Sequence, residues 1–493
     1  MKTFITRAAI AAASASALST LQPFSHSALC SDAPPARPNL ILILVDDMGY
    51  GDIGPFGSTK NRTPNLDRMA AEGLKLTSFY AAPVCTPSRA QFMTGCYAKR
   101  VSLGKGVLFP ESPIGLNPRE HTIASLLKTQ GYATMIVGKW HLGDQPPFLP
   151  TRHGFDSYFG LPYSNDMGGN AKNHHPPLPL MRDDKPIEII TPEKQDHLEQ
   201  RYTDAALQFI RAHAKNPAPF FLYFAHTAVH QPLHPGPNFR GKSANGDYGD
   251  WIEEMDWSVG RVLDTLRELH LAHNTLVLFT SDNGPRHLKD TDRGSAGPLR
   301  GAKGSTYEGG MRESTIAWWP GKIPAATTTD AITGGIDILP TFIALAGGAI
   351  PADNKIDGVD ITPVLLGKAA QSTRKAQYYF DTDNTILQAV RVGPWKLAVS
   401  PQKDRNGAKL PPAARYTPRL YNLDTDIGET TDVSAAHPDT VKQLQTLITE
   451  MDKDLGVKEN GPGVRPPGRV AKPAGLWLPG QKPAKQTMEE HYD

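Results

Sequence analysis

The chain has 493 residues, 39% hydrophobic and 21% charged, which is the composition of a soluble globular protein with room for one large domain plus an appendage, or for two or three domains. A formal net charge of +2 argues against a nucleic-acid partner, which calls for a concentrated basic surplus, yet allows a local cationic pocket for an anion. Three cysteines exclude a disulfide-built scaffold.

The first element is the N-terminus. Lys2 and Arg7 precede a small, apolar run from Ala8 to Leu21 and then a polar stretch. This layout predicts a signal peptide over residues 1–29 and a secreted or periplasmic protein. The run is too short and too rich in alanine to span a membrane, and no other segment reads as a span, so no stable membrane insertion is expected. Cys30 stands where a lipoprotein cysteine would, but bulky Leu29 precedes it where a small residue is wanted.

From Asn39 onward short apolar runs alternate with amphipathic ones. Residues 39–45 (NLILILV), 133–138 (ATMIVG), 219–225 (PFFLYFA) and 275–281 (TLVLFTS) read as strands buried on both faces. Residues 63–73 read as a helix with Thr63 as cap, Pro64 at its first position and Gly73 as stop, and residues 121–131 have the same form. Residues 201–215 and 250–271 are amphipathic helices. The alternation predicts an α/β fold, a large mostly parallel sheet sandwiched by helices. The polar stretches 164–198, 232–249 and 285–306 read as loops, long enough to be functional. Past residue 376 the pattern changes to short antiparallel strands (388–400 and 418–423) and a last helix (438–455). The expected division is a catalytic domain over 37–375, a smaller α+β subdomain over 376–456, and a Pro/Gly/Lys-rich tail over 457–493, either disordered or a surface strap.

In open α/β sheets ligands bind beyond the carboxyl ends of the strands. Those ends deliver Asp46 and Asp47, Lys139 and His141, His226 and His230, and Asp282 and Asn283. Two acidic pairs at one edge repel unless a cation joins them, and all-oxygen ligands suit Ca²⁺ or Mg²⁺ rather than Zn²⁺. Lys139, His141 and Arg89 make the same edge cationic, suiting a sulfate or phosphate group.

Residues 80–95 (YAAPVCTPSRAQFMTG) set Cys85 at a helix start, with Pro87 in the first turn. A disulfide, a buried thiol, and a nucleophile or its precursor are the three readings. A bridge to Cys96 is disfavoured, since eleven helical positions span about 16 Å. At a helix N-terminus the dipole favours an anion and lowers a thiol's pKa. A cysteine phosphatase is one such enzyme, but its loop has five residues between Cys and Arg, where this one has three.

Here the chain resembles the type I sulfatases of the alkaline phosphatase superfamily. CTPSRAQFMTG (85–95) matches their C-x-P-S-R signature and GKWHLG (138–143) their second one. LVDDMGYGD (44–52), HGFDSYFG (153–160), SDNG (281–284), RGAKGSTYEGGMRE (300–313) and LYNLDTDIGE (420–429) follow in the family's order, and GLPYSNDM (160–167) resembles the arylsulfatase A branch. The likeness runs from about residue 38 to about residue 455.

What the resemblance implies is a sulfuric ester hydrolase in which a formylglycine-generating enzyme converts Cys85 to formylglycine (3-oxoalanine), hydrated to a diol. Asp46, Asp47, Asp282 and Asn283 would hold one Ca²⁺, with residue 85 completing the shell. One diol hydroxyl, activated by the metal and Asp282, would attack sulfur. Arg89, Lys139 and Lys303 would meet the developing charge, His230 would protonate the leaving alcohol, and Ser164 would contact the sulfate. His141 would take the second hydroxyl's proton as sulfate is expelled. His174 and His175 are expected either to touch substrate or to sit in a solvated loop, and Asp337 and Cys96 to be structural. A sulfated glycan is the favoured substrate. The alternatives are a formylglycine-dependent phosphodiester or phosphonate monoester hydrolase, and a non-catalytic sulfoglycan-binding relative.

Overall fold

The computed structural model describes residues 37–169, 175–286, 294–403 and 416–480. The expected signal peptide, Cys30, His174 and the last thirteen residues of the tail lie outside them.

The first strand, β1 (Asn39–Val45), is buried at every position, as its unbroken apolar run requires. After it come α1 (Pro64–Ala71), β2 (Leu74–Tyr80), α2 (Cys85–Thr94), β3 (Ile114–Gly115), α3 (Ile123–Thr129), β4 (Ala133–Gly138), β5 (Ser157–Gly160), β6 (Pro179–Arg182) and β7 (Lys185–Ile189). Helices α4 (Pro192–Gln195) and α5 (Leu198–His213) lead to β8 (Phe220–Ala225), then α6 (Gly246–Glu268), β9 (Thr275–Ser281), α7 (Glu308–Met311), β10 (Arg312–Trp318), β11 (Thr327–Thr329) and β12 (Thr333–Gly334). These strands, β3 excepted, form one sheet in the order β11-β2-β10-β9-β1-β8-β4-β5-β6-β7, with β12 beside β2. Its centre, β9-β1-β8-β4-β5, is parallel. Two apolar clusters flank it, one under α2 and α3 and the other under α5 and α6. The mostly parallel sandwich expected from the sequence is thus the fold.

Two expectations change, at Thr63 and over 164–198, and two are decided by the contacts. Thr63 does not cap α1, because its hydroxyl accepts instead from Gly54 N at 2.8 Å. Thr122 does cap α3, in a reciprocal box with Ser125. The stretch 164–198 is not all loop: β6 and β7 pair as a hairpin that extends the sheet antiparallel to β5. Over 457–480 the tail is a strap rather than disordered, because β17 (Gly468–Arg469) pairs with β3, and Arg465 bridges Glu120 at 2.7 Å and reaches Cys96 Sγ at 3.3 Å.

The helices α8 (Ile338–Leu345) and α9 (Thr362–Leu365) precede the second sheet, β13 (Gln377–Phe380), β14 (Leu387–Val392), β15 (Trp395–Ala398) and β16 (Arg419–Asn422), all antiparallel and covered by α10 (Pro438–Asp454). Buried ion pairs join it to the first sheet's end. Lys396 of β15 meets Glu308 at 3.0 Å and Glu429 at 2.8 Å, and Tyr80 and Tyr379 donate to Glu308 at 2.6 and 2.7 Å. Asp337, expected to be structural, accepts from Gly334 N and Val359 N at 2.9 and 3.0 Å and pairs with Arg374.

The core also holds a pH liability. His153 is buried, packs against Trp140 with ring centroids 5.7 Å apart and planes tilted by 34°, and has no partner for either ring nitrogen. Burial pulls its pKa down to about 4. A depressed histidine contributes stability that is complete above about pH 6.5 and lost as pH falls through about 4. His153→Phe keeps the ring packing and removes the titration. Urea unfolding at pH 7.5 and 4.5 should show the variant losing about 2–3 kcal/mol less than the wild type over that interval. Equal losses would show that His153 does not titrate there.

Candidate active site

The carboxyl ends of β1, β4, β8 and β9 meet the N-terminus of α2. Gly138, at φ 104°, lets β4 close on β8, since a Cβ there would lie 1.8 Å from Ala225 O. Lys139 N then donates to Ala225 O at 2.8 Å. Asp47 and His141 both sit at φ 59°, in the left-handed region that side chains other than glycine seldom adopt. Such strain persists only where the surroundings hold it, and it gathers at functional sites.

Asp46 is wholly buried and touches two cations and the cysteine. Its Oδ2 lies 2.5 Å from Lys139 Nζ and 3.2 Å from Arg89 Nη2, and Cys85 Sγ donates to its Oδ1 at 3.3 Å. Burial pushes the carboxyl up, but Lys139, His230, Arg89 and Lys303 hold it well below the usual range. Asp47 Oδ1 accepts from Lys303 Nζ at 2.5 Å and from Asn283 Nδ2 at 2.8 Å. Asp282 Oδ2 takes Arg89 Nε and Nη2 at 3.1 and 2.9 Å, a bidentate pair that fixes the guanidinium. Lys303 Nζ also reaches Cys85 Sγ at 3.3 Å, and Lys139 Nζ donates to Ser164 Oγ at 3.0 Å. Cys85, Arg89, Lys139, Ser164, Lys303, Asp46, Asp47, Asp282 and Asn283 are therefore brought into one hydrogen-bonded group, buried except at the partly exposed Lys303.

The two histidines hold different tautomers. His141 Nε2 donates to Leu108 O at 2.9 Å, leaving Nδ1 a buried lone pair with no partner. Burial, Lys139 and Arg89 keep that ring neutral. His230 Nδ1 faces two acceptors, Gln231 O at 2.6 Å and Asn165 Oδ1 at 3.1 Å, so Nδ1 carries the proton. Its Nε2 is turned to Asp47 Oδ2 at 3.7 Å and Ser164 Oγ at 3.5 Å. Burial, then Lys303 and Lys139, bring its pKa down to about 3. His226 is turned the other way, its Nδ1 donating to Glu199 at 2.5 Å.

One electrostatic expectation fails. A helix N-terminus lowers a thiol's pKa, yet burial and the Asp46 carboxylate push Cys85 well above the ordinary thiol range. As encoded, Cys85 is a neutral thiol and no thiolate nucleophile. It forms no disulfide, and neither does Cys96, which is buried in the core.

A hard cation fits these donors. Ligand atoms of Asp46, Asp47, Cys85 and His230 lie within 4.8 Å of one another. Asp47 Oδ2 and Asn283 Oδ1 are buried without a hydrogen-bond partner, and Asn283 spends its amide nitrogen on Asp47 and Gly284 O. Orphaned buried oxygens are costly unless something unseen to the protein bonds them.

Glu199 gave no signal in the sequence. From the first turn of α5 its Oε1 accepts from Thr227 N and Ala228 N at 3.0 and 2.8 Å. The turn it grips brackets Asp46, with Asp46 N donating to Ala228 O at 2.8 Å and Val229 N to Asp46 O at 2.7 Å. The same turn delivers His230.

Comparison with known proteins adds a family. The Sulfatase family model matches residues 38–349. N-acetylgalactosamine-6-sulfatase of Canis lupus familiaris is 38% identical over 470 residues, 87% of this chain and 89% of that protein. Arylsulfatase A of Homo sapiens is 37% identical over 463 residues, 86% and 90% of the two chains. The crystal structure of the PsFucS1 sulfatase from Pseudoalteromonas sp. superposes with a TM-score of 0.78 at 29% identity, covering 86% of this chain and 92% of that one. The crystal structure of Ps i-CgsB in complex with k-i-k-neocarrahexaose superposes with a TM-score of 0.72 at 28% identity, covering 84% of this chain and 92% of that one.

Proposed function

The chain belongs to the sulfatase family and is a sulfuric ester hydrolase, and from that premise we propose that it frees sulfate from a sulfated glycan by means of a formylglycine at position 85 and one bound Ca²⁺. The observation that carries the reading is the setting of Cys85, 3.3 Å from both the Asp46 carboxylate and the Lys303 ammonium and too neutral to act as a thiolate. A buried, neutral thiol at the centre of an anion site suits the precursor that the C-x-P-S-R signature implies better than it suits a thiolate nucleophile.

Asp46, Asp47, Asp282 and Asn283, with side chain 85, would hold the Ca²⁺. Three carboxylates (Asp46, Asp47, Asp282) face three cations (Arg89, Lys139, Lys303), a formal sum of zero. A divalent ion leaves a surplus of two positive charges for an anionic ester. When bound, the ion supplies positive charge to the attacking and sulfuryl oxygens, and hydrated formylglycine supplies two hydroxyls on one carbon.

The remaining steps belong to encoded side chains. Lys139 and Lys303 flank the position of the sulfate oxygens and stabilise charge that grows in the transition state. Arg89 holds Asp46 and Asp282 in register. Ser164, bonded to Lys139 and near His230, orients the sulfate. Burial, then Lys303 and Lys139, leave His230 Nε2 unprotonated in the free site; an anion between the two lysines offsets their share, so that Nε2 takes up a proton and passes it to the leaving alcohol. His141 Nδ1, a free lone pair, accepts the proton released as sulfate departs. Cys85 is only 1% exposed, so its conversion by a formylglycine-generating enzyme must precede folding. The signal peptide fits such maturation on the way to a secreted or periplasmic location.

The glycan assignment draws on relatives named for N-acetylgalactosamine 6-sulfate hydrolysis and on a neighbour solved with a carrageenan hexasaccharide. Peptide mass spectrometry of active protein should find residue 85 lighter than cysteine. Exhaustive chelation should abolish sulfate release and lower the melting temperature, the loss approaching about 4 kcal/mol where Ca²⁺ had stood at a thousandfold its Kd. Added Ca²⁺ should restore both. Unmodified Cys85 in active enzyme, or full activity after chelation, sinks the reading. Rates on 4-nitrophenyl sulfate above those on 4-nitrophenyl phosphate separate it from the phosphoester alternative.

A further inference from the structure

The floor of the site rises to the surface along one segment. Leu108 is pinned from below, its carbonyl by His141 Nε2 at 2.9 Å and its N–H by Thr86 Oγ1 at 3.1 Å, one residue from Cys85. Exposure climbs along this path from 1% at His141 to 8% at Leu108 and 53% at Phe109. Among the described residues only Phe109 and Ile187 are large hydrophobics so exposed, and Ile187 lies on the edge strand β7.

Phe109 is exposed but not loose. Its ring stacks on His175, with centroids 5.8 Å apart and planes 17° from parallel. His175 belongs to the segment that returns past Ser164, held by Gly169 N on Pro176 O at 2.8 Å and Tyr163 OH on Pro177 O at 3.3 Å. The two rings thus come from the two segments that flank the site and meet outside it. The strap backs this rim, since Gln145 and Ala474 exchange hydrogen bonds at 3.0 and 2.8 Å while the neighbouring Asp144 accepts from Glu111 N at 2.7 Å.

A stacked ring loses little freedom when a second flat apolar surface lies on it, and water leaves its open face readily. The C–H face of a pyranose is such a surface, and the ring beyond the sulfated sugar is the part of a glycan that reaches past the buried floor. We propose that Phe109, braced by His175, is a sugar platform that takes the pyranose next to the one bearing the sulfate. The proposal rests on the substrate being a sulfated glycan.

The test compares kcat/KM for sulfated monosaccharides with that for the chondroitin sulfate and carrageenan oligosaccharides that contain them, using the full-length mature enzyme. In Phe109→Ala the oligosaccharide-to-monosaccharide ratio should fall about tenfold, mainly through KM, and Phe109→Trp should retain it. His175→Ala should lower it by a smaller factor. An unchanged ratio in Phe109→Ala, or equal losses on both substrates, overturns the platform. Wild-type enzyme that releases sulfate from 4-nitrophenyl sulfate but from no sugar overturns the glycan reading, and the platform with it.

Discussion

Replacing Cys85 with serine should lower turnover by about 10⁴-fold or more and leave a protein that gains the mass of one SO₃ group on exposure to substrate. The site itself should survive the change. Serine is close to cysteine in size, and its hydroxyl can donate to Asp46 Oδ1 as Sγ does at 3.3 Å. Lys139, Lys303 and Arg89 remain to receive the sulfate. A serine oxygen can therefore attack sulfur once. It has no second hydroxyl on the same carbon to expel the sulfate, so water must attack a crowded, anionic sulfur instead. Cys85→Ala should lose activity to a similar degree and gain no mass. The pair separates a nucleophile from a packing residue, for which serine would be benign and neither variant would be sulfated. Serine turnover within tenfold of the wild type would end the case for a two-hydroxyl nucleophile.

How much of this was legible beforehand depends on what kind of signal each residue leaves. Strands β1 and β9 could be bounded to the residue because a strand buried on both faces writes a largely apolar run, and β4 could be too, although Ala133 and Met135 on one of its faces are only half-buried. Their ends then exposed Asp46, Asp47, Lys139, His141, Asp282 and Asn283, since topology alone places those positions at a ligand edge. Lys303 and Ser164 came from motif likeness, because each sits on irregular backbone whose path no periodicity records, and motif likeness also chose His230 over His226, both offered by the end of β8. Glu199 was invisible: an acidic residue in the first turn of a helix is ordinary, and only the fold sets it against the turn from Thr227 to Ala228. Thr63 misled for a related reason. Its hydroxyl accepts from the loop's Gly54 N, and the Asp256 carboxylate of α6 takes the first N–H groups of α1, Asn65 N at 3.2 Å and Leu66 N at 2.8 Å. The pKa of Cys85 went the other way from its helix position because burial and the Asp46 carboxylate outweigh a terminal dipole, whose effect is about 1 kcal/mol.

Lys303→Ala should lower kcat/KM by about 10³-fold, with the loss in kcat as well as in KM. The ammonium lies 2.5 Å from Asp47 Oδ1 and 3.3 Å from Cys85 Sγ, which on the proposed reading puts it beside the attacking atom and the oxygens on which charge would grow. Removing it withdraws charge that is worth more in the transition state than in the ground state. Lys303→Arg should recover only part of the loss, because a planar fork does not occupy a point charge's position. The loop that carries Lys303 is stitched at two points just after it. Gly304 N donates to Pro83 O at 2.7 Å, just before Cys85, and Thr306 O accepts from Lys396 Nζ at 2.9 Å and Gln402 Nε2 at 2.7 Å. Lys396 and Gln402 come from the second sheet and the segment after it, so the C-terminal part of the chain helps to aim an ammonium in the first sheet's site. Gln402→Ala removes one of the two donors and leaves the buried Lys396 pairs intact. It should cost about tenfold in kcat/KM in the wild-type background, and almost nothing once Lys303 is alanine. Equal costs in both backgrounds would mean that Gln402 acts on the site by some route other than Lys303.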